Sequence, residues 1–159
     1  MKITTRHWGQ LDVEDEALVR FPDGLLGFED LHEFALIDAE EYRPFLWFLS
    51  TEDPEICFAV ADPFYFTAAP YELSLSSTDE EALEVAGGDT LAVFVIVTFR
   101  EKEQGITGNL KGPIVLNTRT RLARQNVIYG NSFPVCQPLL RRTVVPFPGH
   151  APDITARAS

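Results

Sequence analysis

LAVFVIVTFREKEQGITGNLKGPIVLN, residues 91–117, is the stretch whose reading decides the fold. Its first nine residues, Leu91 to Phe99, have only Thr98 polar and are rich in β-branched and aromatic side chains, as suits a strand covered on both faces. A charged turn follows, Arg100 to Gly105. The second extended run then carries Gly108, Gly112 and Pro113 where a central strand would carry bulky residues, and such residues favour bulges, edges and sharp bends. The expectation is a hairpin whose second arm is kinked, as at the corner of a small barrel or sandwich. Nothing in the stretch is chemistry.

At 159 residues the chain is one domain's worth. Twelve Phe against one Met predict a rigid aromatic core. The longest apolar run falls far short of the roughly 20 residues of a membrane span, and the N-terminal MKITTRHWGQLDV lacks the apolar centre of a signal peptide. Cys57 and Cys136 are isolated thiols with no CxxC pattern, and no Asn-x-Ser/Thr acceptor occurs. Together these features favour a reducing cytoplasm.

Charge is segregated along the chain. Residues 1–90 hold 21 Asp/Glu and 4 Lys/Arg, a balance of −17, while residues 91–159 hold 3 and 9, a balance of +6, which together give the −11 of the whole chain. If the two parts interleave in one sheet, much of this cancels; if they do not, an acidic face remains that repels phosphate and attracts a basic protein. Direct nucleic-acid binding is not expected, because it is driven by neutralising backbone phosphates.

Short strands recur along the chain: Lys2–Trp8 with a bend at Gly9, Ala17–Phe21, Phe34–Asp38, Pro44–Ser50, Ile56–Ala61 and a cleanly alternating Tyr71–Ser76. The loop Phe21-Pro22-Asp23-Gly24-Leu25-Leu26-Gly27-Phe28 has Pro22 to preset φ, glycines able to take positive φ, and two Phe to anchor it. A short helical turn is expected near Glu29–Glu33. Ser77-Thr78-Asp79-Glu80-Glu81 predicts a helix start, since Ser77 with Glu80 and Thr78 with Glu81 each fit a capping box, and Gly87-Gly88 stops the helix. A basic loop, Thr118–Arg124, leads to a strand at Gln125–Tyr129 and a last element at Val135–Leu140. The pattern is mostly β: a small antiparallel barrel-like single domain over residues 1–143 with one or two short helices. Residues 144–159, with Pro146, Pro148 and Pro152 and few apolar anchors, read as a flexible tail.

Candidates for chemistry are sparse. His7, His32 and His150 show no metal-ligand spacing, and no GxSxG elbow or Cys-His signature appears. Gly105–Gly112 fails as a phosphate loop, because Leu110 stands before Lys111 and Gly112 after it. No catalytic, cofactor-binding or metal-ligating residue is therefore expected. Asn109, Asn117 and Asp62 beside Pro63 either satisfy backbone groups freed by bulges and turns or serve binding. Glu72, Asp79, Glu80, Glu81 and Glu84 form a dense acidic zone, either a solvated face or a docking patch for a basic partner.

The order FPDGLLGFE at Phe21–Glu29, Pro44-Phe45-Leu46, Asp62-Pro63, Val95-Ile96-Val97-Thr98, NLKGPIVLN at Asn109–Asn117, and Gln125 resembles the flagellar assembly factor FliW family over about Met1–Leu140. Two mild departures are Leu49 before Ser50, where the family commonly has Gln, and Gly112, where Ala usually precedes Pro-Ile. The resemblance implies a small, mostly antiparallel barrel-like domain without catalysis. It further implies that the chain binds the translational regulator CsrA, relieving repression of flagellin synthesis, and binds flagellin in an exclusive complex. In that reading Phe21, Pro22, Gly24, Gly27, Phe28, Asp62, Pro63, Asn109, Pro113 and Asn117 define the fold, and the acidic zone is the candidate partner surface. The alternatives are a flagellin chaperone without regulator binding, and a β-barrel small-molecule binder or enzyme with a polar pocket near His7, Asp62 or Asn109.

Overall fold

The chain runs through strands β1 (Lys2–Thr5), β2 (Gly9–Asp12), β3 (Leu18–Arg20), β4 (Glu33–Ala39), β5 (Leu46–Ser50) and β6 (Cys57–Ala61), then helix α1 (Ser77–Ala82). It continues through β7 (Leu91–Phe99), β8 (Ile106–Gly108), β9 (Ile114–Asn117), β10 (Leu122–Gln125), β11 (Gln137–Pro138) and β12 (Ile154–Ala156). This is a computed structural model, and it describes residues 1–99, 105–129 and 133–140 and the backbone of residues 154–156. The charged turn expected at Arg100–Gly105 lies outside the described residues except for Gly105. The same holds for the tail expected at 144–159, apart from the β12 backbone, which pairs antiparallel with Ile37–Ala39 of β4.

Strand β7 organises the rest, as its composition demands. One edge pairs with β6 at Val95–Val97, while the other is shared between β9 at Leu91–Phe94 and β8 at Val97–Phe99. The arm returning from the charged turn is thus one run broken between Gly108 and Ile114, the kink that its glycines and proline predict. Through that kink the sheet closes on itself in the order β7-β6-β5-β4-β3-β10-β9-β7, a barrel of seven strands. All contacts in it are antiparallel except β3 with β10, which meet in parallel at Arg20 and Leu122.

Because successive side chains alternate faces, each barrel strand feeds two cores. Inside lie Phe34, Leu36, Phe48, Val60, Phe94, Ile114 and Leu116. Phe21 meets Phe34 and Phe48 edge-on, with ring centres 5.4 and 5.5 Å apart, the arrangement aromatic quadrupoles favour. Outside, Val95, Val97 and Phe99 of β7 pack with Ala59, Ala61 and Phe66. A third cluster forms where the β1–β2 hairpin lays Ile3, Trp8 and Leu11 over Ala35, Ile37 and Leu49 of β4 and β5. This double coverage explains why β7 carries almost no polar residue. Gly108 answers the same demand, because a Cβ there would meet the Phe66 ring at 2.8 Å.

The loop Phe21–Phe28 plugs one end of the barrel. Gly24 donates to the Phe21 carbonyl (2.9 Å), closing a turn with Pro22 at its second position, and Leu25 and Phe28 exchange backbone bonds. Phe21 and Leu25 are buried, and Phe28 packs on the interior cluster.

Five local expectations need correction. Tyr71–Ser76 alternates in burial but joins no ladder: its side chains are packed and exposed in turn, while its backbone makes no hydrogen bond to a strand. The strand placed at Gln125–Tyr129 starts three residues earlier, as β10, since the basic loop Thr118–Arg121 is a tight hairpin turn, and its backbone bonds to the preceding arm run on at Asn126 and Ile128. Residues 29–33 form a turn and the start of β4, not a helical turn. The helix cap falls one residue earlier than read: Ser76 accepts from the Asp79 amide (3.1 Å) and Asp79 accepts from the Ser76 amide (3.0 Å). The helix ends before Gly87-Gly88, because Glu84 takes a left-handed φ of 51° while Glu84 and Val85 donate to the carbonyls of Glu81 and Glu80.

Gly24 and Gly27 have φ of +67° and +85°, but only at Gly24 would a Cβ strike backbone, 2.6 Å from Glu29. Gly27→Ala is therefore expected to cost roughly 1 kcal/mol through strain alone, and Gly24→Ala at least about 2 kcal/mol more because the barrel plug must shift. Urea denaturation of the two variants checks the order. Equal losses would show that the Glu29 backbone yields freely.

Candidate binding surface

The residues singled out in the long motifs converge on backbone. Asp62 accepts from the Phe64 amide (2.9 Å) and caps the turn that Pro63 opens. Asn109 accepts from the amides of Lys111 and Gly112 (3.0 and 3.1 Å), which the kink removes from any ladder. Pro113 has no amide to satisfy there. Gln125 links the two motifs: its Oε1 accepts from the Leu26 amide and its Nε2 donates to the Gly112 carbonyl, each at 3.0 Å. Asn117 is fully buried and donates to the Leu83 carbonyl and to Asp89 (3.0 Å each). Sequence reasoning named Asn117 but missed Asp89, whose role depends on Arg119 across the fold.

Asp89 is a firmly held carboxylate. Its side chain is 5 % exposed, and it accepts from Arg119 Nε and Nη2 at 2.7 and 3.1 Å and from the Ala86 amide at 2.8 Å. Arg119, the Ala86 amide and Asn117 hold its carboxyl well below the usual carboxylate range.

The acidic zone is placed in two parts. Glu72 and Asp79 line one groove of about 500 Å³ with Leu73, Ser74 and residues 124–129. Glu80, Glu81 and Glu84 are exposed on α1 and just past its end. Asp79 is already engaged: besides its cap it lies 3.2 Å from Arg124 and accepts from the Asn126 side-chain Nδ2 at 3.4 Å. Arg124 also reaches Asp23 (3.4 Å). The two halves of the charge pattern thus interleave at Asp89–Arg119 and Asp79–Arg124–Asp23, while Glu72, Glu80, Glu81 and Glu84 keep their carboxylates at the surface.

The residues considered for catalysis are scattered. His7 is exposed at the β1–β2 turn, His32 lies by the barrel plug with Nδ1 3.0 Å from the Phe21 carbonyl oxygen, and His150 is outside the described residues. Asp62 borders a second groove with Phe64, Thr67, Ala68, Tyr71, Leu91 and Val93. Burial pushes the Cys57 thiol up, away from the reactive thiolate. Among the described residues no group of three His, Cys, Asp or Glu could hold a metal ion, and no helix is long and apolar enough to cross a membrane.

A seven-stranded barrel with a glycine-bearing plug, a kinked closing strand and an acidic flank makes this a small, mostly antiparallel β-barrel domain. The family model described as "FliW protein" matches residues 2–139, and the chain belongs to the FliW family of flagellar assembly factors. It is 38 % identical over 142 residues to "Flagellar assembly factor FliW" of Bdellovibrio bacteriovorus, covering 89 % of this chain and 81 % of the relative. The same-named protein of Syntrophus aciditrophicus is 33 % identical over 158 residues, covering 99 % of each. A crystal structure of the flagellar assembly factor FliW superposes with a TM-score of 0.78 at 29 % identity, covering 91 % of this chain and 100 % of that one.

Because the folded Asp89 carboxyl titrates below its unfolded value of about 3.9, its stabilisation is complete at neutral pH and is lost as pH falls below about 4. Asp89→Asn is expected to be less stable at pH 7 and to lose less on acidification than the parent chain. Urea midpoints between about pH 6 and pH 3 read the difference, and parallel acid limbs would assign the acid lability to other carboxylates.

Proposed function

We propose that the chain works by binding proteins in the cytoplasm, without catalysis: it captures a CsrA-type translational regulator, relieving its repression of flagellin synthesis, and releases it on binding flagellin. The observation that supports capture of a basic, RNA-gripping partner is the acidic flank, where Glu72, Glu80, Glu81 and Glu84 are exposed beside the groove that Asp79 helps to line. A surface of one sign steers an oppositely charged partner and repels RNA, so the protein competes for the regulator and not for its message. The residues Phe21, Pro22, Gly24, Gly27, Phe28, Asp62, Pro63, Asn109, Pro113 and Asn117 are read as serving the fold and are not proposed to touch a partner.

Rim charges act mainly on the association rate, screened over about 8 Å at physiological ionic strength. Changing Glu72, Glu80, Glu81 and Glu84 to Gln together is expected to slow association with the regulator several-fold at low salt and to flatten its salt dependence, with thermal unfolding unchanged. Asp79 stays in place because it caps α1 and holds Arg124. Stopped-flow association at low and high salt is the measurement. An unchanged rate and salt slope would reduce the flank to a solvated face, and flagellin binding without any regulator binding would favour a dedicated flagellin chaperone.

A further inference from the structure

The acidic groove has a second property that charge alone does not supply. Beyond Gln125 the β9–β10 ladder continues: the amides of Asn126 and Ile128 donate to the carbonyls of Pro113 and Lys111, both at 2.8 Å. In an extended chain, backbone groups point to opposite edges with a period of two residues. The N–H and C=O of Val127 therefore face away from that ladder, towards the groove, and no backbone bond engages them among the described residues. The opposite wall is Glu72–Ser74, which alternates in burial and makes no backbone hydrogen bond among the described residues. At one end Asp79 ties the walls together through Arg124 and the Asn126 side chain.

We infer that this groove is a strand-acceptor site for an extended peptide segment of alternating basic and apolar residues, which pairs its backbone with the Val127 edge. The volume of about 500 Å³ falls within the range of roughly 300–1,000 Å³ usual for built sites. Strand addition to an exposed edge draws affinity from main-chain bonds and selectivity from alternate side chains. The apolar residues of an added strand meet Leu73 and one of Val127 and Ile128, whose side chains alternate faces; all three line the groove and are only partly buried. The charge selects the other side: Arg124 is neutralised by Asp79 and Asp23, leaving Glu72 exposed at the mouth to receive Lys or Arg. The inference takes the charge of its occupant from the capture reading above and adds how the occupant is held.

The test uses the intact chain and a fluorescein-labelled octapeptide alternating lysine and valine, read by anisotropy. Three comparisons accompany it: a glutamate–valine peptide, the lysine peptide N-methylated on alternate amides, and the protein variant Val127→Pro. Proline at 127 removes the groove-facing donor and leaves the bonds of Asn126 and Ile128 in place, as proline is tolerated on the unpaired side of an edge. Saturable binding of the lysine peptide is expected, weakened roughly tenfold or more by N-methylation along the paired edge, by Val127→Pro and by the glutamate exchange. If Val127→Pro lowers the thermal midpoint, the N-methylated peptides on the unaltered protein decide instead. Absence of saturable binding, or N-methylated peptides that all bind as tightly as the parent, overturns strand addition, and equal binding of the glutamate peptide overturns the basic class. Regulator and flagellin are absent from the assay, so peptide binding can hold while regulator capture fails, or the reverse.

Discussion

Everything in this barrel depends on how β7 satisfies its second edge. The strand is nine residues long, and one return run must cover it from Phe99 back to Leu91 while the sheet curls enough to close. A regular strand cannot do both, so the run breaks between Gly108 and Ile114. The break exposes amides that need acceptors, and Asn109 supplies one oxygen to two of them. Leu110 drops into the outer core, with its carbonyl taken by the Tyr71 hydroxyl, and Gly112 leaves room for the Gln125 side chain, whose amide would lie 2.9 Å from a Cβ there. Gln125 then carries the constraint on to Leu26 in the barrel plug. Closure, kink and plug are consequently one unit, and residues far apart in sequence are fixed together by a single side chain.

That unit was legible in the sequence because its causes are local. An unbroken apolar run of β-formers has to be covered twice, and Gly and Pro in the following arm have few uses other than a bend. Tyr71–Ser76 shows where the same logic stops. Alternation reports that one side of a segment is packed, and this segment is packed, but a ladder also needs a neighbouring edge in register, which no local pattern encodes. The helix cap slipped by one residue for a related reason. Ser76–Asp79, Ser77–Glu80 and Thr78–Glu81 are overlapping boxes, and the choice among them is made by Arg124 and Asn126, which hold Asp79 from the far side of the fold.

The acidic zone was legible as composition and not as a site. Five carboxylates near one another in sequence take three different roles in space: Asp79 holds a cap and an ion pair, Glu84 ends the helix in a left-handed conformation and offers its carbonyl to Arg119, and the others face solvent. Which acid is free depends on where the arginines of the second half land. Arg119 and Arg124 are spent internally on Asp89, Asp79 and Asp23, so the segregation of charge along the chain survives on the surface only in part.

The seam between β3 and β10 draws these points together. Closing a sheet into a barrel abolishes its free edges, yet β3 meets β10 through a single parallel pairing at Arg20 and Leu122, helped by the Arg20 amide donating to the Arg121 carbonyl. Past that point β10 outruns its neighbour. Arg124 spans the opening by pairing with Asp23 of the plug and Asp79 of α1, so the seam is held by charged side chains instead of a ladder. Such pairs are individually weak and sensitive to salt, and they leave the backbone edge beyond them unpaired. A closed barrel is otherwise a poor surface for recognising extended protein, because its backbone groups are consumed internally. The place where closure fails is the place where recognition by backbone becomes possible, and here it opens beside the exposed carboxylates.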